Sequence, residues 1–224
     1  MPQTQPEAMH SARVTRSWGA SDLLRGLAFV ADEVQRRHHH PGQYLRVRLA
    51  GEDNPYALAS EPGAPALELL FKQETELTAA MATLAAGDTI QVGVPQGKGF
   101  PVENDAGRDL ILCAAGTGIA PLRAVVRTIL PVRARYGEVT MYYGQRTRSH
   151  FAYLDEMDAW RAAGITVHLV ASDAGLRVQD AVAANPPATA HAVAYVCGMK
   201  SMIADLNKVF SALGLPRERI LLNL

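Results

Sequence analysis

The chain has 224 residues, 48% of them hydrophobic and 20% charged, with 22 basic side chains balanced by 22 acidic ones. That length can bury one large core or two smaller ones, and the balanced charge gives no reason to expect nucleic acid or an acidic membrane as a partner. No apolar run approaches the roughly 20 residues that a membrane span needs.

The opening "MPQTQPEAMHSARV" lacks the basic start and apolar centre of a secretory signal. It reads as a disordered lead-in over residues 1–10. Residues 11–103 then carry short apolar or alternating runs broken by turn residues: "SARVTRSW", "LRGLAFVADEV", "YLRVRLA", "YALAS", "ALELLFK" and "DTIQVGV". Strands at such short, regular spacing predict an antiparallel barrel or sandwich. One helix, "ELTAAMATLAAGD", interrupts them, with Leu77, Met81 and Leu84 on one face. The run "HHH", His38 to His40, precedes a turn. Neighbours on an extended segment point to alternate faces, so it is read as a solvated turn rather than a metal tract.

A linker is expected near residues 101–108, and from residue 104 the rhythm becomes strand–helix–strand. Candidate strands are "LILCAAG", "EVTMYYG", "ITVHLVAS" and "HAVAYVCG", separated by stretches of helical pattern. Such alternation predicts a doubly wound parallel sheet with helices on both faces. Cys113 and Cys197 both lie in strand-like surroundings. That fits a reducing, cytoplasmic setting better than a disulfide framework. Two cysteines cannot ligate a four-cysteine iron–sulfur cluster, so a one-electron centre is expected on another protein.

The glycine turn in "LILCAAGTGIAPLRAVV" follows the first strand of this half and opens its first helix. Ligands of open parallel sheets bind there, where glycine lets the backbone approach a diphosphate and free amides favour negative charge. Pro121 suits the first helical turn. The turn departs from the usual dinucleotide fingerprint, because Pro121 stands where a third glycine is expected and the next strand ends in Gln145 and Arg146 rather than an acid. Gly144, Ser172, Asp173, Cys197 and Gly198 close the other strands, and a parallel sheet brings those ends to one edge.

With these motifs in hand, the chain resembles the ferredoxin–NADP reductase superfamily of flavin-dependent reductases. "PGQYLRV", "NPYALAS", "GDTIQVGVPQGKGF", "GTGIAP", "YYGQR" and "CGMKSM" follow the family's motif order. The flavin segment, "CGMKSM" and the "ILLN" ending are closest to a branch that includes plant fruit and chloroplast proteins. The resemblance implies an N-terminal Greek-key barrel carrying FAD, followed by a sheet domain carrying NADH or NADPH.

Carried over by position, Asn54, Pro55, Tyr56, Ala57, Ser60, Phe71 and Thr78 belong to the flavin side, with Tyr56 stacking on the ring and Thr78 near the diphosphate. Gly116, Thr117, Gly118, Pro121, Gly144, Arg146, Ser172, Cys197, Gly198 and Met199 belong to the nicotinamide side. Cys197 and Thr117 flank the reacting carbon. Hydride transfer needs reacting atoms about 3–3.5 Å apart, so positioning is the protein's main task.

The departures fall on the flavin. Asn54 replaces an arginine and Ala57 a serine, while Glu76 and Leu77 replace glycines. These changes predict weakened FAD binding, with Lys98 partly restoring the lost charge. Asp173 disfavours a 2′-phosphate, so NADH is the expected donor. The implied function is a flavin-dependent NAD(P)H reductase serving a ferredoxin, cytochrome or oxygenase component. A non-catalytic NAD(H)-binding module and an electron-transfer subunit of a larger complex stay open beside it. Oligomeric state is not set by the sequence.

Overall fold

The computed structural model describes residues 8–223. The lead-in expected over residues 1–10 therefore lies mostly outside the described residues, and His10 already opens the first strand.

The first half is an antiparallel sheet curled on itself. Strands β1 (His10–Gly19) and β2 (Leu24–Val30) pair as a hairpin, and a single turn, α1 (Asp32–Gln35), follows. A second hairpin joins β3 (Tyr44–Leu49) to β4 (Glu52–Ala57). After β5 (Leu67–Lys72) comes the helix α2 (Glu76–Thr83) and then β6 (Thr89–Val92). The strand order is β4-β3-β6-β1-β2-β5, and a bridge between Leu58 and Leu69 joins the two edges into a nearly closed barrel. The strand expected at "YALAS" starts earlier, at Glu52. Pro55 is tolerated there because β4 is an edge strand, where a missing N–H costs no ladder bond.

Period-two alternation along β5 divides its side chains between two cores. Leu67, Leu69 and Phe71 enter the barrel core with Val14, Phe29, Leu45 and Leu77. Leu70 joins a second core that runs into the other half of the molecule.

That half contains β7 (Asp109–Ala115), α3 (Ile119–Ile129), β8 (Val139–Gln145), α4 (Leu154–Ala162), β9 (Ile165–Ala171), α5 (Val178–Ala184), β10 (Ala192–Cys197), α6 (Lys200–Ala212) and β11 (Ile220–Leu222). All neighbouring strands are parallel, in the order β11-β10-β7-β8-β9. Its central strands are apolar throughout because both faces are covered. Leu110, Leu112 and Ala114 of β7 pack with α3 and α4, while Ile111 and Cys113 pack with α5 and α6. The sheet is doubly wound, as its alternating pattern predicts.

The barrel docks on the α3–α4 face. Leu24, Ala59, Leu70 and Phe100 share one core with α3, and the Phe100 ring stacks on Tyr195 with centroids 4.7 Å apart. One expectation fails in the barrel. His38 is not solvated but buried, with 4% of its surface exposed, and its Nε2 donates to the His40 carbonyl. His39 is exposed, as the alternation requires.

Candidate functional site

Parallel strands align their C-terminal ends, so β7, β8, β9 and β10 finish along one edge beside the barrel rim. Between edge and rim lies a cleft of about 750 Å³. From the sheet side it is lined by Gly116, Thr117, Gly144, Arg146, Ser172, Cys197, Gly198 and Met199, all named from sequence. From the barrel side come Leu23, Leu24, Lys72 and Glu74.

The glycine turn is built for close approach. Gly116 has φ +60°, a left-handed conformation that side chains resist, and the space before it is open. Gly118 faces the other way: a Cβ there would lie 2.2 Å from the Cys197 carbonyl oxygen. Only glycine lets the turn after β7 pack this tightly on Cys197 at the end of β10. The Ile119 N–H at the start of α3 is taken by the Gly116 and Thr117 carbonyls, so the amides left at the cleft edge are those of the glycine turn and of the start of α6, which no side chain caps.

Charge in the cleft comes from Lys72, Arg146 and Arg177 against Glu74 and Asp205, and Lys72 pairs with Glu74. Asp173, expected to repel a 2′-phosphate, is exposed and does not line the cleft; its N–H donates to the Arg146 carbonyl. Burial pushes the Cys197 thiol up to about 11, against a hydrogen bond from Asn223. Cys197 is thus a neutral thiol at pH 7, suited to bordering a ring rather than attacking it.

Pro121 and Gly118 stand behind the cleft, Pro121 against the Gly42–Phe100 contact. The barrel residues named from sequence are placed differently. Phe71 is buried in the barrel core and Ser60 is buried accepting the Glu68 N–H. Thr78 is 4% exposed, and its hydroxyl accepts from the amides of Glu74 and Thr75 within the cap of α2. It therefore presents no hydroxyl at the surface. The Asn54 amide donates to Glu52, Pro55 is exposed and Ala57 is half-buried. Lys98 is exposed and does not line the cleft.

Tyr56 remains half-buried at the barrel's edge, with a neutral phenol that burial pushes up. The antiparallel Leu58–Leu69 bridge sets it level with Phe71, one residue from Lys72. At the start of α2, Glu76 is exposed and its amide meets no acceptor among the described residues, whereas Leu77 is fully buried. Tyr56 packs against the barrel core on the Phe71 face, leaving its exposed part for a ring, while Lys72 lies on the opposite, cleft face of β5.

Sequence reasoning missed Lys72, Leu176 and Arg177. Lys72 is the last residue of β5 and faces the cleft by alternation, a signal readable once the strand's register is known. Arg177 precedes α5, where an N-cap residue gives no motif.

Fold and cleft together define a two-domain protein in which a barrel faces the ligand edge of a parallel sheet. Residues 112–208 match the model of the oxidoreductase NAD-binding domain. The chain is 29% identical to sulfhydrogenase 1 subunit gamma of Pyrococcus furiosus over 72% of its own length and 57% of that protein's. It is 28% identical to the ferredoxin–NAD(+) reductase component of the alkene monooxygenase system of Xanthobacter autotrophicus, over 96% of this chain and 69% of that one. A ferredoxin NADP+ reductase from Neisseria gonorrhoeae, solved with bound FAD and NADP, superposes with a TM-score of 0.82 at 19% identity, covering 96% of this chain and 97% of the other. The sheet half thus matches an oxidoreductase NAD-binding domain, and the whole chain has the fold of the ferredoxin–NADP reductases. It spans a little over half the length of the first curated relatives it matches.

Proposed function

We propose that the protein is a flavin-dependent NAD(P)H oxidoreductase that passes electrons to a separate acceptor. The observation that carries this reading is the convergence of Gly116, Thr117, Gly144, Arg146, Ser172 and Cys197 on one cleft facing the barrel rim. FAD, when bound, would take a single hydride, which carries two electrons, and could release those electrons one at a time, which suits a ferredoxin, cytochrome or oxygenase component as acceptor.

The residues divide the work. Gly116 and Thr117 of the glycine turn hold the dinucleotide's diphosphate. Cys197 and Gly198 border the nicotinamide, while Met199 forms part of the cleft mouth, being 63% exposed. Tyr56 supports the flavin ring by stacking, and the exposed Glu76 amide at the start of α2 is offered to the flavin diphosphate. Asn54 supplies no charge, so FAD is held more weakly than where an arginine stands.

Asp173 favours NADH, but it stands outside the cleft, whereas Arg146 and Arg177 stand within it; that supports use of NADPH as well. The division into a flavin half (residues 11–103) and a nucleotide half (104–224), and kinship with the plant fruit and chloroplast branch, belong to the same proposal. So does a cytoplasmic setting, supported by the two free cysteines. No helix among the described residues is long and apolar enough to cross a membrane.

Titrating the purified, flavin-stripped protein with FAD tests this reading. Saturable quenching of flavin fluorescence, lost in Tyr56→Ala, is the expected result. A wild-type protein that binds NADH but takes up no FAD overturns it and leaves a nucleotide-binding module.

A further inference from the structure

Helix α3 does more than present the glycine turn. It carries two arginines one turn apart, Arg123 and Arg127, toward the barrel. Arg123 is 4% exposed and every arm of its guanidinium is occupied. Nη1 donates to the Ala59 carbonyl at 2.9 Å and to Glu68 at 2.8 Å, both on the barrel. Nε and Nη2 grip Glu156 of α4 at 2.9 and 2.5 Å. The guanidinium carbon lies 4.3 Å over the ring of Tyr153, which takes the left-handed conformation at φ +62°. A bulky residue in that conformation is strained, and strain persists where the surroundings over-determine it. One turn on, Arg127 meets Glu61 of the barrel at 2.7 Å.

Burial alone would discharge an arginine, but Glu156, Tyr153 and Glu68 more than offset it and keep the group protonated. Hydrophobic packing would stabilise such a seam as well as a buried ion pair does, so stability is a poor account of this arrangement. Packing also does not close the seam here: a crevice of about 410 Å³, lined by Arg16, Trp18, Glu68, Arg127 and Tyr153, opens beside the arginine. Directional bonds therefore hold this edge. They join points that matter: Ala59 lies three residues after Tyr56, and α3 begins at the Gly116 turn.

We propose that Arg123 is a positioning residue, tying the end of the flavin strand to the helix of the nucleotide turn and thereby fixing the spacing of the two cofactor seats. This rests on the reductase reading, and its test separates the two. Because Arg123→Ala empties a buried space and leaves the partly buried Glu68 and Glu156 only the long Arg127 contacts, at 3.9 and 4.0 Å, the working variant is the double change Glu68→Gln, Glu156→Gln, which keeps side-chain size and one acceptor oxygen on each residue.

Hydrogen exchange on the cofactor-free protein should show faster exchange in α3 and residues 59–68 than in wild type. In flavin-loaded protein, the rate of flavin reduction by NADH in single turnovers should fall at least tenfold, because ångström-scale misplacement is costly. The NADH dissociation constant should change less than twofold. Unchanged exchange overturns the proposal. So does faster exchange with an unchanged reduction rate, or a rise in dissociation constant that accounts for the whole loss. Wild-type protein that binds no FAD defeats the reductase reading instead, a result visible before any variant is made.

Discussion

Gly118, in the turn after β7, packs against Cys197 at the end of β10, and its role is the most sharply defined of any single residue. Gly118→Ala drives a methyl into the Cys197 carbonyl. Backbone must move, and overpacking of this kind costs about 1–3 kcal/mol. Nucleotide affinity should fall with stability, read by NADH titration and urea unfolding. Arg146 and Arg177 make a second case. Replacing both by alanine should reduce kcat/KM for NADPH far more than for NADH, since only the former carries the 2′-phosphate they would attract. Equal losses with both nucleotides would remove these arginines from selectivity. His38 governs pH dependence rather than chemistry. Burial lowers it from 6.5 to about 4, so the fold keeps it neutral while the unfolded chain takes up a proton first. Stability is therefore intact above pH 6.5 and lost as pH falls toward 4, by on the order of 2–3 kcal/mol. Urea midpoints at pH 7 and pH 4.5 should diverge less in His38→Gln than in wild type.

Elements differ in how readily their sequence announces them. The α/β half is legible because its strands are continuous apolar runs and its helices carry one apolar stripe, patterns fixed by burial on two faces or one. Its short last strand, Ile220–Leu222, has too few residues to show any period and is recognised only by pairing with β10. The cleft's sheet side was equally readable, since parallel order dictates which ends meet. The barrel side was not. Whether Thr78, Ser60 or Phe71 faces a ligand depends on strand register and helix capping, and neither follows from a motif. Thr75 and Thr78 close a capping box between themselves, which turns the Thr78 hydroxyl inward. The β3–β4 hairpin offers a test at this scale. Ala50 and Gly51 both have positive φ, 52° and 80°, as a tight two-residue hairpin turn requires. Alanine is strained there, so Ala50→Gly should raise thermal stability by up to about 1 kcal/mol despite glycine's extra unfolded-state freedom. A lower melting temperature would show that Ala50 carries no such strain.

At the scale of the whole molecule, two cores meet along one seam. The barrel keeps its own interior, but Leu24, Ala59, Leu70 and Phe100 extend the core of the sheet half. The cleft exists only because the halves dock, with Lys72 and Leu24 from one wall and Gly116 and Cys197 from the other. A hydride donor and its acceptor can be brought together in such a place without any nucleophile, which agrees with a Cys197 thiol that stays protonated. The direct measurement is anaerobic mixing of FAD-reconstituted protein with NADH while flavin absorbance is followed. The account predicts saturable bleaching of the oxidised flavin, restored by an external electron acceptor. Flavin that binds yet stays oxidised under saturating NADH and NADPH would contradict it.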